Sequence, residues 1–177
     1  MKAFAIVILS AAIFSSPLVK AMEQEKEDFE LSQELLVQLF NELLGTIKAR
    51  NVEIIFTKLQ DLSQRLQLEG ATIQNTNQDN DLEYLPAILM KCLAFENIKL
   101  SEIIDESHET VFHKACSVGN VKVTKIIGLA DTKDLKNLLL AQNLNGQTAS
   151  DCAQRFNHFD IVAGNQTLLT MLNTRGI

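Results

Sequence analysis

Thr110-Val111-Phe112-His113-Lys114-Ala115-Cys116-Ser117-Val118-Gly119-Asn120 decides the fold, because it returns 38 residues later as Thr148-Ala149-Ser150-Asp151-Cys152-Ala153-Gln154-Arg155-Phe156-Asn157-His158. Both stretches place His or Asp three residues after a Thr, Ala two residues later, and Gly or Asn ahead of a second apolar run. A Thr hydroxyl at the first position can cap a helix, and His113 or Asp151 can close the hydrogen-bonded turn from the third helical position. Ala115 and Ala153 are small, as a close helix contact requires, and Gly119 and Asn157 suit the left-handed backbone that stops a helix. A recurrence of this length signals stacked supersecondary units.

The pattern resembles the ankyrin repeat family over Glu109–Ala115 and Asn145–Ala153, about 55 residues in all when the following helices are included. That resemblance implies helix pairs stacked into a solenoid, with one or two β-hairpin fingers and a role in protein binding. Two further units are fainter. Leu43 to Ile55 is similar to the helix pair of an N-terminal repeat and Ile88 to Leu100 to another, so that Asn51, Asn97, Asn120 and Asn157-His158 mark four inter-helix turns. The steps between them are 46, 23 and 38 residues, against about 33 for the family. The short step leaves only Asp105–Glu109 as a connector, too little for a full finger. The 38-residue step has room for a small helix on Leu135, Leu138 and Leu139 and for a finger at Ala141–Gln147, turned by Asn145-Gly146.

Upstream, Leu31, Leu35, Leu36, Leu39, Phe40, Leu43, Leu44 and Ile47 lay one apolar stripe along a helix. Asn51 is placed to cap a second helix carrying Val52, Ile54, Ile55, Leu59, Leu62 and Leu66. Residues 69–81, with Gly70 and a run of Asn and Asp, read as a loop. Pro86 suits the first turn of a helix carrying Ile88, Leu89, Cys92, Leu93 and Phe95, and a short helix is expected after Asn97 on Ile98, Leu100, Ile103 and Ile104. Thr167–Leu172 extends the last helix. Apolar positions seldom alternate, so the fold class is all-α.

The N-terminus has a different purpose. Met1-Lys2, an apolar run from Ala3 to Phe14, Ser15-Ser16-Pro17 and Val19-Lys20-Ala21 have the layout of a signal peptide cleaved after residue 21. The uninterrupted apolar part is shorter than the ~20 residues that a bilayer span needs. Residues 22–30 form a flexible acidic lead-in, and residues 31–177 form the repeat domain. The expected location is secreted or periplasmic. Loss of Lys2 and Lys20 takes the formal charge from -6 to -8, which argues against a nucleic-acid partner.

Catalytic and ligand chemistry finds little to stand on. The seven glycines are scattered and form no phosphate loop. Asp105, Ser107 and His108 are neighbours along the chain, an arrangement that rarely makes a triad. His113 and Cys116 lack a second ligand pair, so no metal and no cofactor are expected. Asn77, Asp79, Asp81 and Glu83 open like a calcium loop, but Leu82 stands where Gly is needed and Ile88 where a bidentate Glu is needed. Cys92, Cys116 and Cys152 all lie in apolar-periodic stretches and are expected to be buried. Asn165-Gln166-Thr167 is a glycosylation sequon.

The function expected from the sequence is non-catalytic protein binding, through Asn143, Asn145, Gln147, Lys133 and Lys136 on the finger side and the Asn75–Asp81 loop. Thr110, His113, Ala115, Gly119, Thr148, Asp151 and Ala153 are expected to build the repeat turns. The alternatives are a structural, envelope-associated scaffold or a small exported enzyme or inhibitor.

Overall fold

A computed structural model of the chain describes residues 33–72, 81–130 and 134–174. The signal peptide and lead-in expected over 1–30, the Asn75–Asn80 run and Lys133 lie outside the described residues. By internal contacts the chain divides into residues 1–38 and 39–177; the described part of the first unit is the opening of α1, and everything that follows concerns the second.

The fold is all-α. Eight helices are described: α1 (Gln33–Lys48), α2 (Val52–Thr72), α3 (Asp81–Glu96), α4 (Val111–Val118), α5 (Val121–Ala130), α6 (Leu135–Leu140), α7 (Ala149–Arg155) and α8 (Phe159–Thr174). A single 3-10 turn, Leu100–Glu102, precedes α4. Among the described residues the only β-type pairing is an isolated antiparallel bridge between Ile104 and Thr110.

Most positions of the apolar stripes are buried as their spacing predicts, but Ile54 of α2 is 50% exposed and Phe95 of α3 is 49% exposed, on sides of the helices that face solvent. Leu39, Phe40, Leu43 and Ile47 of α1 are buried, as are Val52, Ile55, Phe56, Leu59, Leu62 and Leu66 of α2. Each such side chain stabilises the fold by about 1.5–3 kcal/mol through removal of apolar surface from water. Arg50, in the left-handed region at φ 48°, ends α1, and Asn51 Oδ1 then accepts from Ile54 N to start α2. Glu42 fastens the hairpin, taking Lys58 Nζ at 3.2 Å and Arg65 Nη1 at 2.9 Å. These ion pairs are half-exposed and contribute about 1 kcal/mol or less each.

Helix pairing differs from the sequence expectation by one step. The segment after Asn97 is not a second helix but the 3-10 turn followed by extended backbone, with Ile103 at φ -95°, ψ 104°. The physical reason lies in Asp134, which is buried and accepts from Ser101 N at 2.8 Å and from Ser101 Oγ at 2.7 Å. Those bonds tie the segment to the start of α6, and the bridge from Ile104 to Thr110 keeps the chain extended beyond the 3-10 turn. Without a helix there, α3 packs on α2 and α5 instead. First helices α2, α4 and α7 therefore lie in one row, with α3 and α5 packed together in the second row and α8 against α7. Pro86 also sits deeper than expected, buried inside α3 rather than in its first turn. The loop expected over 69–81 begins later, since α2 continues to Thr72.

Candidate functional site

Two short turns precede the capped helices α4 and α7, and they have the same construction. Asp105 Oδ1 accepts from Ser107 N and Glu109 N, and Asp105 N donates to Glu109 O at 3.0 Å. In the second turn Asn143 Oδ1 accepts from Asn145 N and Gln147 N, and Asn143 N donates to Gln147 O at 2.9 Å. His108, at φ 59°, and Gly146, at φ 71°, fill equivalent left-handed positions. A side-chain oxygen reaching the amides two and four residues on replaces a β-hairpin ladder as the means of closing the turn.

The helices continue the match. Thr110 Oγ1 accepts from His113 N, and the His113 side chain accepts from Thr110 N; Thr148 and Asp151 make the same reciprocal box. Gly119 (φ 75°) and Asn157 (φ 64°) stop the helices in the left-handed region. Asn120 N then donates to Ala115 O and His158 N to Ala153 O, at 3.0 and 2.9 Å.

Four contacts join one unit to the next. Leu144 N donates to Ser107 O at 3.0 Å and stacks one turn on the other, while Asn143 Nδ2 donates to Glu109 Oε1 at 3.2 Å. His113 Nδ1 accepts from Thr110, which leaves the hydrogen on Nε2 to be donated to Gln147 O at 3.2 Å. At the other end of the helices, His158 Nε2 donates to Ser117 O at 3.2 Å. Asn165 adds a link from α8, donating to Ser150 Oγ at 3.1 Å and to Cys116 Sγ at 3.6 Å.

The residues expected on the contact surface separate accordingly. Asn145 is exposed, and Gln147 and Lys136 are half-buried. Asn143, by contrast, is buried and its amide is committed to its own turn, to Glu109 and to Cys152. It builds the turn instead of presenting a free amide to solvent. Thr110, His113, Ala115 and Ala153 are fully buried, and Asp151 is exposed. Sequence reasoning named Asp105, His158 and Asn165 but missed what they do: Asp105 closes its turn, and His158 and Asn165 bond across to Ser117 and Cys116. Asp105 and Asn143 were within reach, since they stand at the same 38-residue interval as the two Thr residues.

Cys92, Cys116 and Cys152 are buried free thiols. Burial, reinforced by the nearby Glu96 carboxylate, pushes Cys92 up to about 12. Burial pushes Cys116 up to about 11 against the opposing effect of hydrogen bonds from Asn165 and Thr124. Cys152 is raised by burial and by the charges of Glu109 and Asp151. Asp105 and Ser107 meet only through a backbone amide. Among the described residues no three of His, Cys, Asp and Glu converge as a set of metal ligands, and no helix is long and apolar enough to cross a membrane.

No protein-family model matches the chain, and comparison with curated proteins and with solved structures returns no match.

Proposed function

We propose that the chain is an exported, non-catalytic binding protein, a short ankyrin-like solenoid that takes a protein partner on the side of its stacked turns. The observation that carries this reading is the bond-for-bond recurrence of residues 105–120 in residues 143–158, with one unit stacked on the other. Repetition of that kind spends side chains on stacking and leaves the turn edge to form an extended surface. On that edge Leu144 is 65% exposed and Ile104 46% exposed, and Asn145 and Gln147 supply polar groups beside them. Fold likeness alone does not assign function, so the test is directed at this surface.

The test begins with export. N-terminal sequencing of the exported protein is expected to start at Met22 or within a few residues, and an intact Met1 would count against the signal peptide. Residues 22–177 are then used to capture a partner from extracellular or envelope fractions. The partner is titrated against wild type and against a Leu144→Ser/Asn145→Ala/Gln147→Ala variant, with circular dichroism confirming the fold. Asn143 is left intact because it holds the turn. A loss of about tenfold, equivalent to about 1.4 kcal/mol, is expected; unchanged affinity of a folded variant would remove the turn edge as the contact.

A further inference from the structure

Asn145-Gly146 is the one Asn-Gly step in the sequence, and it lies at the tip of the second turn. The Cγ carbon of an asparagine is within reach of the next residue's main-chain nitrogen, which can close on it to form a cyclic imide. Glycine leaves that nitrogen least crowded, because it has no Cβ. Both residues are exposed. Among the described residues no hydrogen bond holds the Asn145 side-chain amide, and a Cβ built on Gly146 would meet nothing within 4 Å. The Asn145 Cγ is therefore open to attack, and the ring has room to form.

Other asparagines are held or shielded. Asn51 Oδ1 accepts from Ile54 N, Asn120 Oδ1 accepts from Val123 N, Asn137 Nδ2 donates to Asp134, and Asn165 donates to Ser150 and Cys116. They precede Val, Val, Leu and Gln, whose side chains crowd the nitrogen. Asn143 is buried and precedes Leu144. In the first turn Ser107 and His108 occupy the places of Asn145 and Gly146, and a serine has no carboxamide to lose. Of the two stacked turns, the later one alone carries the reactive pair. One bond opposes the reaction: Gly146 N donates to Asn143 O at 2.9 Å and must leave it before it can attack.

We propose that Asn145-Gly146 is a self-modifying site, at which the folded chain converts Asn145 to aspartate and isoaspartate with water as the only co-reactant. Solvent base takes the proton of Gly146 N–H, the nitrogen bonds to Asn145 Cγ, and the Cγ–Nδ2 bond breaks with Nδ2 leaving as ammonia. Water then opens the imide. Breaking its N–Cγ bond gives aspartate. Breaking the bond from that nitrogen to the main-chain carbonyl carbon gives isoaspartate, whose main chain runs through Cβ and Cγ and is longer by one carbon.

Either product puts a carboxylate where a neutral amide stood, against a first turn that already carries Asp105, Glu106 and Glu109. Isoaspartate does more. Asn143 Oδ1 accepts from Asn145 N and Gln147 N, which lie on either side of the lengthened link. The turn that closes on both amides is pushed out of register, and the bond from Leu144 N to Ser107 O weakens with it. The stack between the two units is thus loosened as the molecule ages.

The folded chain of residues 22–177 is aged in mildly alkaline and in mildly acidic buffer. Peptide mass spectrometry follows each asparagine, and enzymatic methylation of the freed main-chain carboxylate counts isoaspartate. Conversion of Asn145 is expected at least about tenfold faster than that of Asn51, Asn120, Asn137 or Asn165, faster in alkali, and with isoaspartate among the products. Gly146→Asn keeps the left-handed backbone, which Asn157 adopts at φ 64°, and is expected to slow conversion of Asn145 at least about tenfold. Hydrogen exchange of the Leu144 amide should quicken in the isoaspartate product and less in Asn145→Asp, which adds the charge without the extra carbon. Circular dichroism confirms the fold of each sample. No partner enters the measurement, so its outcome is separate from that of binding at the turn edge. Conversion of Asn145 no faster than that of the other asparagines, an unchanged rate in a folded Gly146→Asn variant, or conversion only after denaturation would overturn the proposal. So would a Leu144 amide equally protected before and after isoaspartate forms.

Discussion

The imidazole of His158 lies so close over Gly119 that a Cβ built on the glycine would fall 2.4 Å from its Cε1 atom. Gly119 is therefore fixed twice, once by its left-handed φ of 75° and once by the ring that donates to Ser117 O. Gly119→Ala is expected to cost about 2–4 kcal/mol, combining left-handed strain with overpacking. Adding His158→Ala should relieve the overpacking and leave the strain, so the glycine substitution costs less in that background. Urea melts of the four-member cycle check this; equal cost of Gly119→Ala in both backgrounds would mean that the ring is not the obstacle.

Asp151 carries the one shift that links a capping box to pH. Hydrogen bonds from the Thr148 hydroxyl and backbone amide hold its carboxyl below the ordinary Asp value, against a smaller opposing effect of burial. A carboxyl depressed in the folded state contributes stability above its unfolded pKa of about 3.9, and that contribution is lost as pH falls through the folded value. Thr148→Val is expected to raise the Asp151 pKa, read by NMR titration of its carboxyl carbon, and to reduce the steepness of acid destabilisation below about pH 4. An unmoved Asp151 titration would show that the hydroxyl does not hold the proton equilibrium.

The capped helices were legible because their chemistry is local. Thr110 with His113, Thr148 with Asp151, and Gly119 all act within a few residues of their own position, and the apolar stripes of α1 and α2 follow from helical period alone. What escaped was decided at long range. Asp134 holds Ser101 from 33 residues away, in the segment after Asn97 where a helix is expected from the sequence. His158 reaches Ser117 across 41 residues, and Asn165 reaches Cys116 across 49. Asn143 reads as a polar finger residue in the sequence, and only the turn and the Glu109 and Cys152 side chains reveal why it is buried.

The three thiols are expected to be inert in the folded protein. Thiolate is the reactive form, and burial raises Cys92 to about 12 and Cys116 to about 11 while also raising Cys152. A thiol-specific reagent at pH near 8 should leave the native chain unmodified and label all three cysteines in denaturant. Since a raised pKa contributes stability that is lost as pH rises above the unfolded value of about 8.5, alkaline melting should be delayed in a Cys92→Ala variant relative to its own neutral-pH stability. Rapid labelling of the native protein would mean that the packing around α3 and α4 opens readily.

Asn165 satisfies a glycosylation sequon, yet its surroundings oppose the modification. It is 1% exposed, and its Nδ2 atom, the atom a glycan would occupy, donates to Ser150 Oγ at 3.1 Å and faces Cys116 Sγ at 3.6 Å. An N-linked sugar there would be forced between α8 and the α4 and α7 helices, and both hydrogen bonds would be lost. Passage through a eukaryotic secretory pathway should therefore yield folded protein without a glycan at Asn165, with any glycosylated fraction retained as misfolded chains. The same contacts imply that Asn165→Asp, which keeps the shape but removes the amide donor and buries a charge beside the thiol, destabilises by several kcal/mol. Thr167→Ala removes the sequon at an exposed side chain and should leave stability within about 0.5 kcal/mol of wild type. Mass spectrometry of the secreted product and urea melts of both variants provide the comparison. A folded, secreted species glycosylated at Asn165 would show that α8 does not pack as described.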